Sequence, residues 1–242
     1  MENSEKRFLE LADRAEQRCY TTFSDFLNME EESVLSALHF NISYRLYGGY
    51  DGAERCISAF GYDLEDAEFP ISIIKAEPAS PKFADKLSHR DFLGSLMGLG
   101  IKREVLGDIV IADNIGYIFC LSTIAEYIVR ELSKVCHTIV RCSIVYKLPD
   151  SAVKKPETEQ LVTASERLDV ITSAVYNLSR SAVKELFVAR KIYVNSRLCE
   201  NFSYIPKTND IVSVRGKGRF VYNGVLGKTK KSRNIISVGV YR

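Results

Sequence analysis

Residues 108–121, DIVIADNIGYIFCL, constrain the fold more than any other stretch of this chain. Apolar residues crowd both halves, and Asp113-Asn114 divides them, so the stretch reads as two strands around a tight turn. The flanks supply the rest of the pattern. PISIIKAE (70–77) reads as a strand. SHRDFLGSLMGLG (88–100) reads as a helix, with Ser88 and Asp91 at capping-box spacing and Leu93, Leu96 and Met97 as its inward stripe. STIAEYIVRELSKV (122–135) is a second helix and TIVRCSIVY (138–146) a closing strand.

The order β-α-β-β-α-β is the split βαβ, ferredoxin-like (RRM-like) arrangement, which many RNA-binding sheets also use. It hosts many functions, so function must come from elsewhere in the chain. Upstream, Phe8, Leu11, Ala12 and Ala15 have helical spacing, and FSDFLNMEEESVLSALHF (23–40) reads as a second helix, acidic at its start. ISYRLYGGYDGAERCISAF (42–60) reads as two short strands around a glycine-bearing turn. A phosphate-binding loop at GGYDGAER (48–55) competes with a plain hairpin loop, which is preferred because Asp51 and Glu54 make a poor anion cradle. Downstream, KLPDSAVKKPETEQLVT (147–163) has two prolines and little apolar content, and reads as an exposed linker.

These readings give an α+β protein of three small domains. They are an acidic N-terminal α/β unit at 1–69, a ferredoxin-like RNA-binding domain at 70–148 and a basic unit at 163–242 after a linker at 149–162. Charge separates them sharply. Residues 1–70 hold 6 Lys+Arg against 15 Asp+Glu, and residues 158–242 hold 15 against 6. The second segment is therefore suited to a polyanion.

In the basic unit a helix is expected from about Ser165 to Tyr176, capped by Thr163 with Glu166 or by Ser165, burying Leu168, Ile171 and Val175. Ser179 caps a second helix carrying Ala182, Val183, Leu186 and Phe187 inward. KIYVN, DIVSVRGKGRFVYNGV and NIISVGVY supply strands, two of them joined by the RGKG turn. Taken in order, RLD, LSRSAVKELF, KIYVN and DIVSVRGKGR resemble the RNA-binding domain first recognised in small-subunit ribosomal protein S-four. That family usually has Gly where Arg190 and Ser196 stand, and Arg190, which closes the second helix, is expected to carry a small conformational cost. Arg180 and Lys184 share a helix face. Lys191 begins a strand, and Arg215, Lys217 and Arg219 crowd one turn whose Gly216 and Gly218 allow close approach to phosphates. Arg167 and Lys228 complete the expected RNA-binding set. Lys230, Lys231 and Arg233 are expected to extend the same face.

RLDVITSAVYN (167–177) imitates the catalytic-aspartate motif of pseudouridine synthases that carry this domain, but in those enzymes the motif lies in a separate domain downstream. Asp169 is therefore read as a helix-dipole partner. GKTK at Gly227 lacks the upstream glycine of a P-loop, because Tyr222 stands there. The KTKKS stretch is similar to a synthetase signature loop, but its partner motif is absent.

SHRDFLGSLMGLGIKREVLGDI (88–109), together with GGYDGAER and the C-terminal domain, resembles the YlmH family of bacterial proteins across nearly the whole chain. That resemblance implies a non-catalytic, ribosome-associated factor, similar to ribosome quality control factors. Its expected partners are structured RNA (rRNA and tRNA) and the ribosomal large subunit. His89, Arg90, Lys102 and Arg103 are read either as a second RNA contact or as solvated surface. The alternatives are an RNA-modifying, pseudouridine synthase-like enzyme and a protein-interaction adaptor linked to cell division. The six cysteines lie apart with no C-x-x-C, and only His137 of the three histidines lies near any of them. No metal, cofactor or small-molecule substrate is expected. The charged N-terminus and short apolar runs lead to the expectation of a cytoplasmic protein with no membrane partner.

Overall fold

The computed structural model describes residues 2–153 and 155–241. The chain divides into two compact units, 1–153 and 154–242.

The first unit begins with α1 (Glu2–Arg18), β1 (Thr22–Phe26) and α2 (Met29–Ala37), then β2 (Ser43–Tyr47) and β3 (Ile57–Gly61). The helix expected over 23–40 forms only in its second half. Thr22, Ser24 and Phe26 are buried alternately, which is strand periodicity. The helix starts where Asn28 accepts from the Glu30 and Glu31 amides and Glu31 reaches back to the Asn28 amide. The three strands pair in the order β1-β3-β2, and Phe8, Ala12, Ala15, Leu27, Leu35 and Phe60 fill the space between them and the helices.

There follow β4 (Ile71–Pro78), α3 (His89–Gly98), β5 (Leu106–Ala112), β6 (Ile115–Leu121), α4 (Ser122–Glu131), β7 (Lys134–Val135) and β8 (Thr138–Val145). The sheet order β5-β6-β4-β8-β7 is antiparallel throughout, which is the ferredoxin-like topology extended by one short edge strand. Asp113 and Asn114 both take positive φ, as a tight primed hairpin turn requires. The Ser88–Asp91 capping box forms. On α3 the inward stripe is Phe92 and Leu96 with Leu93 beside them, whereas Met97 is exposed.

The sheet is buried on both faces. Ile74, Ala76, Ile118 and Cys120 meet α3 and α4. Ile73, Tyr117 and Phe119, on the opposite face, pack against Phe26 and Ile57 of the N-terminal strands and against Leu148 and Ala152. Gly107 is required at this junction, because a Cβ there would sit 2.6 Å from the Phe26 ring. Tyr50 stacks on Phe119 with ring centroids 5.0 Å apart.

The second unit starts earlier than the linker reading placed it. Residues 157–163 form β9 (Glu157–Thr163), which pairs along its whole length with β14 (Asn234–Val240). Mixed charge and the nearby Pro149 and Pro156 concealed it, but both prolines precede the strand and an edge strand tolerates the charge. Between these strands lie α5 (Leu168–Tyr176), α6 (Arg180–Val188), β10 (Ile192–Val194), β11 (Arg197–Leu198), β12 (Ile211–Val214) and β13 (Gly218–Lys228). The sheet runs β11-β10-β12-β13-β14-β9, and its inner face packs Val212, Val214, Phe220, Ile236 and Val238 against Leu168, Ile171, Val183 and Phe187 of the helices.

The expected capping box before α5 does not form. Thr163 ends β9, and the Glu166 carboxylate accepts instead from the Tyr222 hydroxyl at 2.8 Å. Ser179 does cap α6, accepting from the Ala182 amide at 3.2 Å. That helix ends with Lys191 N–H on the Leu186 carbonyl and Arg190 N–H on the Phe187 carbonyl, and Arg190 has φ +55°. This is a Schellman closure with arginine in the position that favours glycine. Arg190→Gly is expected to stabilise the C-terminal unit by about 0.5–1 kcal/mol, because the Cβ strain goes and only a weak exposed pair with Glu200 is lost. A raised urea midpoint would show it. A lowered one would mean that Arg190 contributes more through its side chain than its backbone costs.

Candidate nucleic-acid interface

In the second unit the expected basic residues fall into three groups. The first is built on the β12–β13 turn. Val214 faces Gly218, so residues 215–217 form the loop, with Gly216 at φ +79° and Gly218 at φ +117°. The Arg215 amide donates to the Lys191 carbonyl at 2.9 Å, which sets the start of β10 beside the turn. Lys191, Arg215 and Lys217 are all exposed there. Arg219 closes the turn differently. It is half-buried and its guanidinium lies 4.1 Å from the centroid of the Tyr241 ring, a close cation–π stack. Arg180 and Lys184 project from successive turns of α6 and are exposed.

Arg167 stands apart from this group. Its Nε and Nη2 donate to the two oxygens of Asp169 at 3.0 and 2.9 Å, and its guanidinium lies over Phe202. The pair sits at the N-terminal end of α5, where a carboxylate is favoured by the helix dipole. Arg167 thus engages one lone pair on each oxygen of Asp169 and orients the carboxylate along the start of the helix.

Lys228 is also separate. It ends the 11-residue β13, so at about 3.3 Å per residue it lies roughly 30 Å from the 215–217 loop. Sequence order alone could not show that the RGKG and KTKKS stretches sit at opposite ends of one strand.

Of the second set, in the first unit, His89 and Arg90 open α3 and are exposed, as is Lys102. Partial desolvation and the charge of Arg103 push the His89 pKa down, so the ring is mainly neutral at pH 7. Arg103 is committed to the protein itself. Its Nη1 donates to the carbonyls of Leu106 and Gly107, both at 2.9 Å. Burial and neighbouring Arg55 push its pKa down to about 10, which still leaves it charged at pH 7.

The GGYDGAER loop joins β2 to β3 as a hairpin. Its Glu54 and Arg55 amides do cradle an anion, namely the protein's own Asp108 carboxylate, at 2.7 and 3.1 Å. Tyr50 donates to the same carboxylate at 2.8 Å. Arg55 spans the junction, donating to carbonyls of Phe26, Arg103 and Leu106. No pattern in the sequence marked Asp108 or Arg55 for this task, because their partners lie 25 or more residues away.

A ferredoxin-like sheet commonly binds RNA by stacking bases on aromatic side chains of its open face. Here the corresponding aromatics, Tyr117 at 6% exposure and Phe119 at 0%, lie beneath the N-terminal strands. Among the described residues there is no cluster of His, Cys, Asp and Glu arranged to hold a metal ion, and no helix is long and apolar enough to cross a membrane. Burial pushes the Cys120 thiol up to about 12 and Cys142 up to about 11, so neither is a thiolate at pH 7.

Residues 65–147 match the family described as "Putative RNA-binding domain in YlmH". The ribosome-associated protein quality control protein P2 of Bacillus subtilis (strain 168) is 29% identical over 220 residues, spanning 87% of this chain and 83% of that protein. The solved structure of the cell division protein ylmH from Streptococcus pneumoniae superposes with a TM-score of 0.49 at 21% identity, over 60% of this chain and 90% of that one. Residues 65–147 are thus similar to the RNA-binding domain described for YlmH, and most of the chain is similar to the Bacillus subtilis protein.

Proposed function

We propose that this protein is a non-catalytic RNA-binding factor of the ribosome that engages rRNA or tRNA on the large subunit through its C-terminal unit. The observation that carries this reading is the exposed turn of Arg215 and Lys217 beside Lys191, with the basic face of α6 in the same unit. Two glycines at positive φ keep the turn's backbone open to phosphates. The quality control function named for the Bacillus subtilis relative supports the ribosome as the setting. Recognition would be of RNA shape and phosphate, because the turn offers exposed cations while its neighbouring ring, Tyr241, is covered by Arg219. The engagement of Asp169 by Arg167 supports a structural aspartate, against the pseudouridine synthase-like alternative.

The test is co-sedimentation with purified ribosomal subunits over a salt series. Arg219 should be left intact, since its stack on Tyr241 makes reversal there a folding change as well. Three to six phosphate contacts predict a log–log salt slope of roughly −3 to −5 for the wild type. Arg215→Glu with Lys217→Glu should abolish large-subunit binding while leaving the melting temperature within a degree or two. Unchanged sedimentation of that variant would refute the assignment of this turn, and no binding of the wild type to either subunit would refute the ribosomal reading.

A further inference from the structure

The second basic group of the C-terminal unit is the tip of the β13–β14 hairpin, where Lys228, Lys230, Lys231 and Arg233 are all exposed. The tip is ordered by its own hydrogen bonds. The Thr229 amide donates to the Arg233 carbonyl at 2.8 Å, and the Arg233 amide donates to Thr229 Oγ1 at 3.1 Å. The Ser232 amide donates to the Thr229 carbonyl at 2.9 Å, with Ser232 held at φ +56°. Four cations are thus carried on a preformed turn rather than on a loose tail, so little ordering would be lost on binding.

Nothing in the sequence neutralises them locally. From residue 211 to the C-terminus there is no Asp or Glu. Across the sheet the tip faces the end of β9 through Asn234 and Thr163, both uncharged. Glu166, a few residues on, gives its carboxylate to Tyr222. Four like charges this close repel one another, a cost that a polyanion would relieve.

The spacing points to the kind of polyanion. With the 215–217 loop at the opposite end of β13, the two basic turns lie roughly 30 Å apart along one hydrogen-bonded strand, whose pairing with β14 carries two bulges. That is the scale of one turn of a nucleic-acid duplex, about 34 Å in B-form and shorter in the A-form of RNA. A flexible acidic protein segment would not need a fixed spacing of this length.

We propose that the 228–233 tip is a second phosphate-binding site, which grips the backbone of a structured RNA about one helical turn from the 215–217 loop. The proposal rests on the RNA-binding function proposed above and adds to it a two-point grip that measures duplex length. The two turns would act as linked sites, so their joint occupancy should exceed either affinity alone whenever the duplex reaches both.

The experiment uses the full chain and two RNA duplexes, one of about 16 base pairs, the span of a two-groove contact, and one of about 8. Lys228→Gln, Lys230→Gln, Lys231→Gln and Arg233→Gln together make the tip variant. Arg215→Gln with Lys217→Gln makes the loop variant. On the long duplex each variant should bind at least tenfold more weakly than wild type, with a salt slope shallower by about 2 for the loop variant and about 3 to 4 for the tip variant. On the short duplex the tip variant should match wild type within about twofold, since only one site is then engaged. If only the loop variant loses affinity, the two-point grip is wrong and the function proposed above stands. If neither does, that function fails as well. Equal loss on both duplexes would overturn the spacing. Unchanged duplex affinity with lost binding to a polyglutamate peptide would assign the tip to an acidic protein instead.

Discussion

Asp108→Ala should detach the N-terminal strands from the ferredoxin-like sheet, lowering the stability of the first unit by about 3 kcal/mol. The carboxylate accepts three hydrogen bonds, from the Tyr50 hydroxyl and from the Glu54 and Arg55 amides. Removing it also leaves two partly buried guanidinium groups, Arg55 and Arg103, side by side without their compensating charge. Burial already pulls the pKa of both guanidiniums down, and Asp108 acts in the opposite direction on each. The expected result is a urea transition at clearly lower concentration. Asp108→Asn should cost about half as much, since it keeps an acceptor but not the charge. An unchanged midpoint for the alanine variant would mean that the apolar contact of Phe26, Ile57 and Phe119 holds the sheets together without help from this network.

Asp210→Ala is expected to destabilise the second unit by a similar amount, about 2–4 kcal/mol. Asp210 is 7% exposed and accepts from Asn195 Nδ2 at 2.8 Å, Tyr204 Oη at 2.9 Å and the Lys207 amide at 2.8 Å. Tyr204 in turn accepts at its carbonyl from the Leu168 amide, so the network ties the 199–210 loop to the start of α5. Burial works to raise the Asp210 pKa, but the Lys207, Asn195 and Tyr204 hydrogen bonds outweigh it and the net shift is downward. A depressed folded-state pKa means that this stabilisation is complete above the unfolded carboxylate pKa, near 4, and is lost as pH falls through the lower folded value. Thermal melts of wild type and variant should therefore differ most at neutral pH and approach one another as the pH falls through the depressed folded-state value. A constant difference across that range would show that shape, rather than charge, is what Asp210 supplies.

Elements whose signals are local could be read from the chain. The Asp113-Asn114 hairpin, the Ser88–Asp91 cap, the Ser179 cap and the RGKG turn each depend on residues within four positions of one another. The positive φ expected at Arg190 is present at +55°, and Ser196, the other position where the family usually has Gly, has φ +63°. What escaped had distant causes. β1 was hidden inside a helical composition because its burial comes from β3 and α1. β9 was hidden in a linker composition because its partner β14 lies some 75 residues on. Within the candidate site, residue identities were legible but their spatial division was not. Arg103 and Arg219 look like surface cations in sequence, and only the folded structure shows one spent on carbonyls three and four residues on and the other on Tyr241.

The covered face of the ferredoxin-like sheet bears on how such a protein can be taken apart. A fragment cut at residues 65–147 would lose Phe26, Ile57, Leu148 and Ala152, and would leave Tyr117 and Phe119 bare on the central strand. Two exposed aromatics on a twisted sheet are a generic platform for unpaired bases, and equally for other copies of the same fragment. Single-stranded RNA captured by that piece would therefore report a surface that excision creates, and the intact chain, with those rings beneath its N-terminal strands, is the form whose RNA binding has meaning.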